Sequence, residues 1–91
     1  MNVEFTKLAY NACFHFEGCN LEISEAPRFY FEIWDNWNRL EVVAVNATNP
    51  KRQEPFLICV KNFKTNEKRT EYCFEHNLIE AIEEAARRVK E

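Results

Sequence analysis

The stretch that decides the fold is RFYFEIWDNWNRLEVVAVNA, residues 28–47. Apolar and polar side chains alternate on both sides of a short polar segment, which is the pattern of a β-hairpin with one buried face. Because successive side chains of a strand point to opposite faces, one face is apolar and the other carries large aromatic and charged residues. The predicted core-facing residues are Phe29, Phe31, Ile33, Leu40 and Val42. We therefore predict an antiparallel sheet built around this hairpin.

The register of the hairpin depends on which two residues form its turn. A turn at positions 35–36 places Glu32 opposite Arg39, whereas a turn one residue later places Glu32 opposite Glu41. Like charges directly opposite one another destabilise a strand pair, so we predict the first register. The chain has ten Asn and one Gly, and Asn tolerates the positive φ that tight turns require. We therefore expect Asn to replace Gly in several turns.

Amphipathic helices are predicted at both ends of the chain. The first has apolar residues at steps of three and four over residues 5–16, with Asn2 as its N-cap and Gly18 as a left-handed C-cap. The last begins at Asn77, and Glu80 follows three residues later as in a capping box.

Further strands complete the predicted sheet. Alternation with a period of two predicts a strand around residues 21–23 and a second hairpin formed by residues 56–64 and 69–74. The order is α-β-β-β-β-β-α, which gives an α+β fold: an antiparallel sheet of four to five strands with an N-terminal and a C-terminal helix packed on one face. A chain of 91 residues forms one domain, residues 1–91.

The composition excludes most familiar catalytic and ligand-binding motifs. One Gly cannot build a phosphate-binding loop, a dinucleotide fingerprint or a nucleophile elbow. The net charge of −3 gives no long-range attraction to nucleic acid or an anionic membrane, and the longest apolar run, residues 56–60, is too short to cross a bilayer. The first residues lack a secretion signal pattern, so we expect a cytoplasmic protein with reduced cysteines, no cofactor, no membrane contact and no enzymatic activity.

The spacing of cysteine and histidine allows a metal hypothesis. The candidate ligands are Cys13, His15, Cys19, Cys73 and His76. Zinc binds thiol and imidazole ligands, but structural zinc sites usually pair their ligands at closer spacing. Buried thiols are therefore the favoured interpretation, and a small zinc-binding domain is an alternative. Cys73 and His76 could also form a nucleophile and base, but no third group that would orient the imidazole is evident.

A basic region suggests a second alternative, a module that binds RNA or single-stranded nucleic acid through residues 51–69. Residues 51–74 carry six Lys or Arg against three Glu, whereas residues 1–50 are acidic overall. The candidate phosphate-binding residues are Lys61, Lys64, Lys68 and Arg69. A charge run at the tip of a hairpin is most often a solvated turn, so nucleic acid is the less favoured partner.

The outward face of the first hairpin supports the favoured functional hypothesis, which is protein binding. The candidate partner-binding residues are Tyr30, Glu32, Trp34, Trp37 and Arg39. Trp, Tyr and Arg are enriched where proteins dock, and an exposed aromatic patch promotes aggregation unless something covers it. We expect a stoichiometric inhibitor or adaptor that binds another protein, or its own copy as a homodimer. A viral protein, encoded by a phage or mobile element and directed at a host nuclease or defence complex, is one form of this hypothesis.

Overall fold

Two helices and five strands follow one another in the predicted order. The computed structural model describes residues 3–25, 27–47 and 49–90. The elements are α1 (Val3–His15), β1 (Cys19–Ser24), β2 (Arg28–Asp35), β3 (Asn38–Asn46), β4 (Phe56–Asn62), β5 (Lys68–Cys73) and α2 (Leu78–Val89), with a short 3₁₀ turn at Glu75–Asn77. Within these ranges, neither helix has the length and apolar composition that a membrane span requires.

The strands form one antiparallel sheet in the order β1-β2-β3-β4-β5. Each strand pairs with its neighbours in sequence, so the sheet is a simple meander. With one helix before the sheet and one after it, this arrangement confirms the predicted α+β fold.

Both helices pack on the same face of the sheet and enclose the core. The buried residues of the helices are Phe5, Ala9, Ala12, Cys13, Leu78, Ile82, Ala85, Ala86 and Val89, and those of the sheet are Phe29, Phe31, Ile33, Leu40, Val42, Ala44, Phe56, Ile58, Val60 and Cys73. The rings of Phe29 and Phe31 stack with centroids 6.0 Å apart, and the Phe5 ring lies 5.6 Å from that of Phe29. The core-facing residues predicted for the first hairpin are thus confirmed.

The predicted register of the first hairpin is wrong by one turn position. Asn36 and Trp37 form the turn, and Glu32 lies opposite Glu41. The like-charge argument fails because the Tyr30 hydroxyl lies between the two carboxylates, 2.7 Å from an oxygen of Glu32 and 3.0 Å from an oxygen of Glu41. The cross-strand pairing moves by two residues, so every side chain of the two strands keeps its predicted face.

Asn replaces Gly in the turns, as predicted. Positive φ angles occur between paired strands at Asn36 (46°) and Asn66 (65°), and also at Asn20 (57°), which lies in β1 where its pairing with β2 is irregular. A short polar side chain that can bond to the local backbone makes this conformation accessible to Asn. Asn2, the predicted N-cap of α1, lies outside the described residues.

The predicted left-handed cap at Gly18 is wrong. Glu17 takes the positive φ of 52° instead, and the Gly18 N–H donates to the Cys13 carbonyl at 2.8 Å. Gly18 is needed for a different reason, because a Cβ at this position would lie 2.6 Å from Cδ1 of Phe31. The missing side chain therefore provides space for a core ring at the point where α1 meets β2.

The predicted capping box at Asn77 is also wrong. The Asn77 side chain makes no hydrogen bond to the first turn of α2, and its Oδ1 accepts the backbone N–H of Phe74 at 2.8 Å. The 3₁₀ turn that precedes α2 brings this side chain back toward the end of β5. Asn77 therefore stabilises the connection between β5 and α2.

Asn62, the last residue of β4, is a fully buried polar residue at one end of the core. Its Nδ2 donates to Oδ1 of Asn38 at 3.1 Å and to the carbonyl of Val89 at 2.9 Å. Its Oδ1 accepts the backbone N–H groups of Lys64 at 2.9 Å and Thr65 at 3.3 Å. One side chain thus joins the start of β3, the β4–β5 turn and the last turn of α2.

Candidate functional site

The face of the sheet opposite the helices is the candidate site, and we call it the open face. It consists of the outward side chains of β2 to β5 together with Phe63, which follows β4. These residues are Arg28, Tyr30, Glu32, Trp34, Arg39, Glu41, Val43, Val45, Leu57, Cys59, Lys61, Phe63, Lys68, Thr70 and Tyr72. Residues that lie directly opposite one another on neighbouring strands form rows that run across the sheet, perpendicular to the strands. The sequence predicted only the part that the first hairpin contributes.

One half of the open face is apolar along its two middle strands, β3 and β4. Val43 lies opposite Cys59, and Val45 lies opposite Leu57, on the two strands in the middle of these rows. All four side chains are partly exposed to solvent. We call these four residues the apolar strip. Apolar side chains left facing water in the middle of a sheet gain free energy when another surface covers them.

A buried carboxylate organises the part of the open face that belongs to β2. Glu32 is only 6% exposed. Its donors are the Tyr30 hydroxyl (2.7 Å), Trp34 Nε1 (3.0 Å), Asn20 Nδ2 (3.1 Å) and Arg39 Nη2 (3.3 Å). The hydrogen bond from Tyr30, helped by the other three donors, outweighs desolvation and lowers the pKa of Glu32 to about 2. Burial and the bond to Glu32 raise the pKa of Tyr30, so its hydroxyl remains a donor.

Arg39 is held between two aromatic rings at one end of the open face. Its Cζ lies 4.1 Å from the ring centroid of Phe63 and 5.1 Å from that of Trp34. The two rings are 51% and 62% exposed, respectively. The Nε of Arg39 is buried and has no hydrogen-bond partner among the described residues. Stacking and the ion pair with Glu32 together fix the guanidinium, so these aromatic and cationic groups are ordered before any partner arrives.

The structure brings together four of the five predicted partner-binding residues. Tyr30, Trp34 and Arg39 surround Glu32, so Glu32 positions its neighbours and offers little surface of its own. Trp37 departs from the prediction because the shifted turn includes it. Its side chain is 85% exposed at the tip of the hairpin, beyond the end of the sheet.

The residues that β4 and β5 contribute to the open face were not predicted from the sequence, and two aromatic side chains are the largest among them. Phe63 comes after the last residue of β4, where strand alternation no longer predicts a face, and it stacks on Arg39. Tyr72 at the other end of the face is covered by Arg52 of the β3–β4 loop, whose Cζ lies 4.1 Å from the ring centroid. Cation–aromatic contacts between distant residues depend on tertiary structure, and no local signal in the sequence predicts them.

The basic residues of the nucleic-acid hypothesis do not form one surface. Lys61 and Lys68 lie opposite one another on the open face. Arg69 lies opposite Val60, whose side chain faces the core, so Arg69 belongs to the helix side of the sheet. Lys64 lies in the β4–β5 turn. Only two of the four therefore share a face.

The candidate metal ligands are dispersed. Cys13 and Cys73 are buried, whereas Cys19 is exposed. His15 lies 3.8 Å from Glu83, and His76 stacks on Phe74 with centroids 5.6 Å apart. In the part of the chain that the structure describes, no three His, Cys, Asp or Glu side chains are placed so that they could hold a metal ion.

Cys73 has the opposite electrostatic environment to a nucleophilic thiol. It is 2% exposed, and burial together with the nearby carboxylates of Glu71 and Glu54 raises its pKa to about 11. Reactive cysteines need a lowered pKa and access to solvent. Cys73 is therefore placed as a small core residue.

Comparison with protein-family models, with curated proteins and with solved structures gives no significant match.

Proposed function

We propose that this chain is a protein-binding domain that acts by stoichiometric contact through the open face. The observation that supports the proposal is the apolar strip, which lies on the side of the sheet away from both helices and is flanked by the ordered stack of Trp34, Arg39 and Phe63. Apolar side chains next to aromatic, Arg and charged residues are common in protein interfaces.

Pre-organisation adds to this argument. Binding normally costs free energy because side chains lose rotamer freedom at the interface. Here Glu32 holds Tyr30, Trp34 and Arg39 through hydrogen bonds, so a large part of that ordering is complete in the free protein. Large rigid groups of this kind are typical of the residues that dominate binding energy.

The charges of the open face favour protein over nucleic acid as the partner. Lys61 and Lys68 stand in one row with Glu41 and Glu32. A phosphate backbone that approached the two lysines would meet the two carboxylates at the same time, which opposes binding. A protein surface can instead present both signs of charge.

Stoichiometric binding through the open face is the mode of action of an inhibitor or an adaptor. A phage or mobile-element protein that blocks a host nuclease or defence complex belongs to this class, and a homodimer formed through the open face is its simplest alternative form. Each of these needs a docking surface and no catalytic group.

Replacing Trp34 on the open face, together with Trp37 at the tip of the same hairpin, tests the proposal. We expect Trp34→Ala with Trp37→Ala to reduce the amount of partner protein co-purified from producing cells by about tenfold, because exposed Trp anchors contribute a large share of binding energy. The matched control is Tyr10→Ala with Phe14→Ala, which removes two aromatic side chains that are 60% and 87% exposed on α1. Both variants should keep the far-UV circular dichroism of the native protein. Equal loss of partner in both variants, or in neither, would contradict the proposal.

A further inference from the structure

We infer that the occupant of the open face is a second copy of this chain, and this inference rests on the proposed function. The two copies pack their open faces together, related by a two-fold axis that runs parallel to the strands between β3 and β4. The product is a β-sandwich with one sheet from each copy and the helices on the outside.

The main support for this dimer is a row of four charged residues across the open face. Glu32 on β2 lies opposite Glu41 on β3, Glu41 lies opposite Lys61 on β4, and Lys61 lies opposite Lys68 on β5. The row therefore reads acidic, acidic, basic, basic. Among the described residues, Lys61 and Lys68 form no ion pair, so their charges remain available to a partner.

A two-fold rotation about the axis parallel to the strands places the charged row of one copy over the same row of the second copy, with opposite charges facing each other. The rotation exchanges β3 with β4 and β2 with β5 while it keeps the position along the strands. Glu41 then faces Lys61 of the second copy, and Glu32 faces Lys68 of the second copy. Two-fold symmetry repeats the contact between Glu41 and Lys61, so the row provides two direct opposite-charge contacts, while Lys68 lies over the cluster that surrounds the buried Glu32.

A two-fold axis perpendicular to the strands does not combine paired opposite charges with a covered apolar strip. Placed on the charged row, it brings Glu41 of one copy onto Glu41 of the other and sets the lysines against each other. Placed between the charged row and the row of Val43 and Cys59, it buries Glu41 and Lys61 against the apolar strip, where an unpaired charge is costly. Placed between the charged row and the row of Arg39 and Phe63, it leaves the apolar strip beyond the edge of the second sheet. The charge pattern and the apolar strip together thus favour the strand-parallel axis over the perpendicular one.

The apolar strip fits the selected arrangement. The same rotation places Val43 over Cys59 and Val45 over Leu57 of the second copy, so apolar side chains meet apolar side chains on both sides of the axis. Sheets that pack face to face lie about 10 Å apart with their strands nearly aligned, and the side chains of the two inner faces fill the space between them.

Arg39 also gains an aromatic contact in this arrangement. The Phe63 N–H donates to the Arg39 carbonyl at 2.8 Å, so these residues occupy one row at the end of the face. The rotation brings Arg39 toward Phe63 of the second copy, where a second cation–aromatic contact forms. Apolar contacts thus lie along β3 and β4 in one half of the interface, and charged and aromatic groups lie in the other half.

Charge reversal at Glu41 and Lys61 tests the inference. Sedimentation velocity should show the native protein as a dimer, and Glu41→Lys and Lys61→Glu should each raise the dimer Kd by about tenfold or more, because each creates two like-charge contacts. Mixing the two variants should restore a dimer, since the chain with two lysines then faces the chain with two glutamates. The double variant Glu41→Lys with Lys61→Glu should also dimerise by itself.

A charge reversal away from the open face provides the control. Glu80 is exposed on α2, and Glu80→Lys should leave the dimer Kd unchanged. Dimers in both single variants, or two single variants that remain monomeric when mixed, would overturn the inferred arrangement. A native protein that stays monomeric at high concentration would overturn the second copy as occupant. In that case the Trp34 and Trp37 variant still decides whether the open face binds a different protein, so the failure of the two proposals can be distinguished.

Discussion

Asn62→Ala is expected to lower the free energy of unfolding by about 3 kcal/mol, which corresponds to a fall in Tm of roughly 12–24 °C for a domain of this size. The change removes both hydrogen bonds that the Nδ2 donates and both that the Oδ1 accepts. The groups left behind include the carbonyl of Val89, a residue that is 2% exposed. A buried polar group that loses its partner costs more than the hydrogen bond itself contributed.

Chemical denaturation followed by circular dichroism measures this effect. The matched control is Asn46→Ala, because Asn46 is an exposed residue at the end of β3 and its change should stay within about 0.5 kcal/mol of the native protein. A loss of less than 1 kcal/mol in Asn62→Ala would show that the β4–β5 turn and the end of α2 are held together by other contacts.

Glu32→Gln is expected to lower the free energy of unfolding by about 2 kcal/mol at pH 7, because charge-assisted hydrogen bonds are lost. In the native protein each carboxylate oxygen accepts two donors. A glutamine has one acceptor oxygen, and its amide group would face the donors of Tyr30 and Arg39 or those of Asn20 and Trp34. The side chains that form this end of the open face would lose their common partner.

The pH dependence of this difference has a defined sign. Folding lowers the pKa of Glu32 from an ordinary value of 4.5 to about 2. The unfolded chain therefore binds the proton more readily, and the stabilisation is fully present above the unfolded pKa and disappears as the pH falls toward 2. Native protein and variant should accordingly differ most above pH 5 and converge in acid.

Urea unfolding at pH 7 and pH 3 checks this prediction. Glu22→Gln is the matched control, since Glu22 is an exposed carboxylate on the neighbouring strand β1, opposite Tyr30. It should change stability by less than about 0.5 kcal/mol at either pH. An undiminished difference between native protein and Glu32→Gln at pH 3 would show that the ionised carboxylate is not the source of the stabilisation.

Periodicity in the sequence was sufficient to predict the elements of the fold. The alternation of Phe29, Phe31 and Ile33 with Tyr30 and Glu32 depends only on the geometry of a strand, and it assigned the faces of the first hairpin correctly. The same reasoning predicted the second hairpin and both helices. Such patterns depend only on neighbouring residues, so they can be recognised without knowledge of tertiary contacts.

The register and the role of Gly18 depend on contacts that no local pattern shows. Glu32 tolerates Glu41 opposite because the Tyr30 hydroxyl lies between the carboxylates. Gly18 is needed because the buried ring of Phe31 occupies the space that a side chain at position 18 would fill. The positive φ that Gly usually adopts at the end of a helix occurs at Glu17. Both cases involve residues that are distant in sequence and meet only in the folded chain.

The candidate site was predictable to the extent that strand alternation defines a face. Tyr30, Trp34 and Arg39 belong to one hairpin, and their common face followed from the sequence. The apolar strip and the row of charges need the pairing of β3 with β4 and of β4 with β5, which alternation alone does not provide. These features identify the open face as a surface across four strands and suggest its partner.

Alkylation of Cys59 is the most direct test of the claim that another protein covers the open face. Cys59 belongs to the apolar strip, whereas Cys19 is exposed at the start of the edge strand β1, which the inferred dimer leaves uncovered. Mass spectrometry can compare the labelling rates of the two thiols in dilute purified protein and in producing cells. We expect Cys59 to be labelled several-fold more slowly relative to Cys19 in the cells than in the dilute protein. An equal ratio of rates in both conditions would contradict it.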